Sequence, residues 1–269
     1  MREPGPSAAP GWPGLDAGAA SADRIPRVVA ALASGLSVIL RNRLIALYLG
    51  GSYSMGDFVA ATSDYDLLII TDDDLTGDDL AALGVLHERL LRDDSEASRF
   101  EGDYVPRRLL VPEGTSEPVP RISHGRFEPV TREIMLSADN IANMRSDGFA
   151  LYGPPASEIL PLVTPRDVRA AILRMVLEKG DECPAEAAAA SALLNLARSL
   201  CALESGRPTT KSEGVAWALE HLDPRWQLAI REANAIRRGK LADETEVRLR
   251  AAVRELDEFA RSTFEGTQC

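Results

Sequence analysis

The stretch Leu47–Ile70, "LYLGGSYSMGDFVAATSDYDLLII", decides how the rest of the chain is to be read. The apolar run Leu44–Leu49 is closed by Gly50-Gly51-Ser52, the composition of a buried strand ended by a tight turn. A second apolar run follows, but it opens on Asp64 and Asp66. A strand that only had to be buried would not begin with two charges. Side chains alternate across a strand, so Asp64 and Asp66 share one face and Tyr65 takes the other. Two strand rises put their Cα atoms ~6.6 Å apart, near enough for both carboxylates to converge on a pair of divalent cations.

Hard oxygen ligands suit Mg²⁺, which keeps several waters and is commonly completed by phosphate oxygens. Gly50 and Gly51 let the backbone approach an anionic ligand, and Ser52 and Ser54 add hydroxyl donors. Ser63 stands just before the first aspartate. Turn and acids together predict a bound triphosphate with two magnesium ions. On the next predicted strand, "RFEGDYVP", Glu101 and Asp103 also share a face. Either can reach the metal or act as a general base. Glu101 is favoured as the base because its longer side chain reaches past a metal shell. Asp103 is the competing base and otherwise a third metal ligand.

Helical periodicity covers Arg27–Asn42 and Asp78–Arg92, and "YSMGDFVA" has the length of about two helical turns. "RRLLVP" reads as a fourth strand and Pro129–Arg145 as a helix. "YGPPASEILPLVTP" reads as a linker, since Pro154, Pro155, Pro161 and Pro165 break any regular element. Beyond it the pattern is helical throughout: Arg166–Lys179, Glu186–Glu204, Ser212–His221, Arg225–Gly239 and Glu244–Phe264. Strands crossed by helices, then helices only, predict an α+β fold: a mixed sheet with flanking helices, then an all-α bundle. The expected boundaries are a disordered leader at 1–22, an N-terminal domain at 23–155 and a helical domain at 156–269, with the ligand cleft between the last two.

With 269 residues, 45% of them hydrophobic, the chain can bury a sizeable core. Its formal net charge of −11 argues against a nucleic-acid partner and is better matched to a cationic one. Cys183, Cys201 and Cys269 form neither a CxxC pair nor a zinc spacing, which fits a reducing cytoplasm. No run approaches ~18 apolar residues, so no membrane partner is expected. A cytoplasmic monomer is the expectation.

At "LYLGGSYSMGDF…SDYDLLI" the chain resembles the nucleotidyltransferase superfamily, and within it the aminoglycoside (3″)(9) adenylyltransferases of the streptomycin/spectinomycin type. "FEGDYV", "LYGPPASEILPLV" and "LLNLARSLCALESGRPTTKSEGVAWALEHL" carry the likeness onward, over about residues 25–260. The resemblance implies Asp64 and Asp66 as magnesium ligands, Glu101 as base, and Gly50, Gly51, Ser52 and Ser63 around the ATP. It also implies that Arg198 and Lys211 reach the triphosphate from the helical domain. Arg198 lies about 200° around its helix from Leu196, free of the Leu193-Leu196-Leu200-Leu203 stripe. Lys211 follows a predicted Thr210–Glu213 capping box, where a lysine opposes the helix dipole unless it faces an anion. The activity implied is AMP transfer from ATP to an antibiotic hydroxyl. Where the family carries acidic and aromatic drug contacts, this chain reads "CPAEAAAASALLNLAR", with only Glu182 and Glu186 charged ahead of the arginine. The rival readings are a different small-molecule or protein acceptor, and a nucleotide-binding regulatory module without catalysis.

Overall fold

Leu44–Leu49 (β1) and Tyr65–Thr71 (β2) pair antiparallel, with Leu49 opposite Leu67, so the Gly-Gly-Ser turn and the two aspartates meet at one end of the sheet. This is a computed structural model, and it describes residues 25–112, 117–130, 136–178, 189–240 and 246–264. The expected leader, Glu182, Glu186, Cys183 and Cys269 lie outside the described residues. Phe100–Pro106 (β3) runs parallel to β2, with Asp66 opposite Glu101. Arg121–Ser123 (β4) and Arg126–Glu128 (β5) add a hairpin beside β3, and Phe149–Tyr152 (β6) closes the far edge beside β1. The six-stranded order is β5-β4-β3-β2-β1-β6, and only β2–β3 is parallel among these pairs.

Alternation assigns the two faces. Leu47, Leu49, Leu67, Ile69, Phe100 and Tyr104 pack on Arg27–Leu40 (α1) and Gly77–Asp93 (α3). Ala46, Tyr48, Leu68, Ile70 and Val105 pack on Ala138–Asp147 (α4) and Ala156–Ile159 (α5). Asp66 precedes Leu68 and Glu101 precedes Asp103 by two, so these acids sit on the α4 face where the apolar positions run out. Pro165–Glu178 (α6), Ala189–Ser205 (α7), Lys211–His221 (α8), Gln227–Arg237 (α9) and Glu246–Phe264 (α10) share a separate core around Leu193, Leu196, Ala218, Trp226, Ile230 and Leu256. The fold is α+β with a mixed sheet and a helical C-terminal part, as expected from the sequence.

Several elements differ from the sequence reading. Arg107–Leu109 of "RRLLVP" is a single 3-10 turn, because Pro106 ends β3 and removes a backbone donor where a strand would continue. The fourth strand is Arg121–Ser123 instead, turned back by His124 (φ 49) and Gly125 (φ 76). Two consecutive left-handed residues are the signature of a two-residue hairpin turn. The expected helix from Pro129 begins only at Ala138, and residues 131–135 lie outside the described residues. "YSMGDFVA" supplies only the end of one turn, Gly51–Ser54 (α2). β6 escaped notice because four residues ahead of a proline-rich stretch show no period.

His87 on α3 is fully buried, with Nε2 2.7 Å from the Tyr104 hydroxyl and its ring stacked 5.8 Å from Phe127. Burial pushes its pKa down to about 4, with a bond to the Gly125 backbone opposing. A histidine with a depressed pKa contributes stability that is complete above its unfolded value, ~6.5, and is lost as pH falls toward 4. At pH 5 the protein should therefore be about 2 kcal/mol less stable than at pH 7.5 from this group alone. Denaturant melts of wild type and His87→Leu at both pH values check this. The variant is expected to lose that share of the pH dependence, whatever its overall stability.

Candidate active site

β1, α2 and the head of β2 bring a glycine and a carboxylate into contact. The Gly50 amide donates to the Asp66 carbonyl at 2.9 Å, which draws the turn against the strand. Gly51 has φ +58, and a Cβ there would stand 1.7 Å from Asp66 Oδ2. Only glycine fits, on backbone and on space. A Cβ on Gly50 would clash with the flexible end of the Met144 side chain, 2.5 Å from Cε, and otherwise meet Asn143 Oδ1 at 3.9 Å.

Asp66 still reaches solvent, yet it lies at the floor of a cleft walled by protein. Burial raises its pKa to about 6, Asp64 and Glu101 push the same way, and Arg198 and Lys211 pull it down. Asp64 stands one residue ahead of β2 and is exposed at the cleft rim. Its pKa is also raised by burial, against the pull of His124, Arg99 and Lys211. Glu101 is held by two partners: Oε1 accepts from the His124 amide at 2.6 Å, and Oε2 lies 3.4 Å from Arg121 Nη2. Asp103 is buried deeper in β3, in register with Arg121. Among the described residues no three acidic, histidine or cysteine side chains gather as metal ligands.

Opposite these acids stand the cations of the helical part. Arg198 is half-buried on α7, and Lys211 opens α8 behind a Thr210–Glu213 capping box, as the sequence predicts. Lys211 Nζ donates to Ser191 Oγ at 3.1 Å. Its pKa is lowered, first by burial, then by Arg198 and Arg237, while Asp66 and Asp64 oppose. The two helices cross in backbone contact: a Cβ on Gly214 would come 2.6 Å from Arg198 Cα. That crossing is what sets the two cations side by side.

Sequence-predicted residues thus divide. Gly51 packs against the Asp66 carboxylate, and Asp64, Glu101, Arg198 and Lys211 stand near enough to shift its pKa, with Gly50 and half-buried Ser52 on the adjoining turn. Ser63 is engaged within the loop: its hydroxyl accepts from the Val59 amide at 2.9 Å and its carbonyl from Arg99 Nη2 at 2.6 Å. Arg121 and His124, which hold Glu101, were missed because the hairpin carrying them was missed. Asn143 was missed because α4 shows little amphipathic pattern. It borders, with Met55, Met175, Arg198 and Thr209, a small pocket of about 60 Å³ between α4, α6 and α7. Its buried Nδ2 has no hydrogen-bond partner.

Residues 158–264 match the family described as aminoglycoside adenylyltransferase, C-terminal domain. The fold is similar to that of spectinomycin adenyltransferase AAD(9) from Enterococcus faecialis, solved with ATP and spectinomycin. The TM-score is 0.70 and the identity 18%, covering 87% of this chain and 98% of that one. No curated protein matches the sequence. The C-terminal helices thus carry the likeness to that family, and the fold as a whole is of the kind seen in that adenyltransferase. No described helix is long and apolar enough to cross a membrane.

Gly51→Ala is expected to force a strained backbone, costing about 1–3 kcal/mol, and to drive the Asp66 carboxylate from its place. Gly50→Ala should be milder, since a methionine tip can move. Melting temperatures of the two variants check the order. Gly214→Ala should likewise lower the melting temperature, by prying α8 from α7.

Proposed function

We propose that the protein transfers AMP from ATP to a hydroxyl of an aminoglycoside-like antibiotic of the streptomycin or spectinomycin type, releasing pyrophosphate. The carrying observation is the pairing of two frustrated clusters. Acids Asp64, Asp66 and Glu101 repel one another on the sheet side, and Arg198 and Lys211 repel one another on the helical side. A magnesium–triphosphate complex presents a cation to the first cluster and an anion to the second.

The donor set fits magnesium. Two carboxylates without a third protein ligand leave coordination sites for water and phosphate oxygens, the usual arrangement for this ion. Asp64 and Asp66 would hold it, and Asp103, buried behind Glu101, is left out of the metal set. When bound, magnesium neutralises charge on the transferring group.

The chain's own residues supply the rest. Gly50, Gly51 and Ser52 let backbone and hydroxyl groups approach the phosphates, and Arg198 and Lys211 hold the leaving pyrophosphate oxygens. Positioning and charge stabilisation are the main contributions to this chemistry. Glu101, oriented by Arg121 and the His124 amide, takes the proton from the acceptor hydroxyl. That oxygen forms a bond to the α-phosphorus as the bond from the α-phosphorus to the bridging oxygen breaks, and the electron pair leaves with pyrophosphate. A cationic acceptor suits the net charge of −11.

The alanine run Ala187–Ala190 stands where the resemblance leads one to expect charged and aromatic drug contacts, which favours a second reading with another small-molecule acceptor. Pyrophosphate release from ATP, measured with magnesium and each antibiotic in turn, separates the two. The first reading predicts release and a matching AMP mass increment on the drug; release only with another acceptor supports the second. Asp66→Asn is expected to abolish transfer, and Glu101→Gln to slow it by about 10²–10⁴-fold. Wild-type turnover by folded Asp66→Asn would contradict the metal assignment.

A further inference from the structure

Asp57 and Arg237 are 180 residues apart and join the sheet part to the helical part at a dry junction. Their side chains are only 13% and 6% exposed. Arg237 closes α9; its Nη2 donates to the Asp57 carbonyl at 2.5 Å and lies 2.8 Å from Oδ2. Its Nη1 donates to Ser212 Oγ at 3.1 Å. Ser212 donates its own hydroxyl to Asp57 Oδ1 at 2.5 Å and its amide to Oδ2 at 3.2 Å. At the far end of the same loop, Thr62 Oγ1 donates to the Arg237 carbonyl at 2.7 Å.

The placement of this junction matters more than its strength. The loop from Asp57 to Thr62 is the connection between the Gly-Gly-Ser turn and Asp64, so Arg237 grips it at both ends. Ser212 is the residue after Lys211, in the first turn of α8. One carboxylate therefore ties the sheet-side loop to the helix that carries the cation. Charge-assisted bonds of this kind have narrow geometry, and removing one partner leaves an uncompensated buried charge. Burial raises the Asp57 pKa, but the Ser212 and Arg237 bonds outweigh it and hold the carboxyl below its usual range. Arg237 already depresses the Lys211 pKa, so freeing it from Asp57 would also set an unbalanced charge beside Lys211.

We propose that Asp57, Ser212 and Arg237 form a positioning unit that holds Lys211 at its working distance from Asp64 and Asp66, so that ATP enters a cleft already set. The unit does not touch the reacting atoms. It acts through Lys211, and it rests on the reading that Lys211 holds ATP phosphates.

Calorimetric titration of magnesium and a non-hydrolysable ATP analogue into the full chain tests it. Asp57→Asn is expected to weaken binding about tenfold and Ser212→Ala, which leaves the ion pair in place, about threefold. In a Lys211→Gln background, Asp57→Asn is expected to add less than twofold, because the residue it positions is gone. A purely structural junction would give the same loss in both backgrounds, and that result overturns the proposal. Unchanged affinity in folded Asp57→Asn and Ser212→Ala overturns it too. Should Asp57→Asn not fold, Ser212→Ala alone and in the Lys211→Gln background carries the same comparison. If wild type binds no nucleotide, the functional reading itself falls and the positioning unit falls with it; binding by wild type with no effect of the variants sinks the unit only.

Discussion

Like charges crowded on both walls of one cleft are the constraint from which the other features follow. Asp64 and Glu101 raise the pKa of Asp66 on the sheet side, and Arg198 lowers that of Lys211 on the helical side. Neither wall is at ease alone. Each partly relieves the other, since Arg198 and Lys211 pull on Asp66 while Asp64 and Asp66 pull on Lys211. A ligand carrying both signs answers both walls, which is the ground for proposing magnesium–ATP.

Two glycines make the arrangement sterically possible. Gly51 gives its missing side chain to the Asp66 carboxylate, and Gly214 gives its own to the backbone of α7 at Arg198. The first sets the acid against the Gly50-Gly51-Ser52 turn, the second sets the two cations together. Close backbone approach is where glycine has no substitute. The buried Asp57–Arg237 pair then joins these halves across the boundary between sheet and bundle. The site is thus built by contacts between packed elements together with the loop that leads into β2.

Much of this was readable from residues alone. β1 and β2 announced themselves as apolar runs with turn punctuation, β3 as the stretch "RFEGDYVP" ended by Pro106, and the capping box placed Lys211 in the first turn of α8. Arg198 and Lys211 were reached through a family resemblance, and helix geometry agreed with it. What stayed hidden was long-range or short. β4, β5 and β6 span three or four residues, too few to show a period, and with them went Arg121 and His124. Asp57 and Arg237 carry no local signal, because their meaning lies in a pairing across 180 residues. Asp64 was read as a strand residue, yet it stands just before β2, so its aim is set by the loop.

The most direct measurement is a crystal structure of the wild-type protein with a non-hydrolysable ATP analogue and Mn²⁺ in place of magnesium. Anomalous scattering is expected to place manganese on Asp64 and Asp66, with the terminal phosphates against Arg198 and Lys211. A metal bound away from those two carboxylates, or a nucleotide seated outside the cleft between the sheet and α7–α8, would contradict the account.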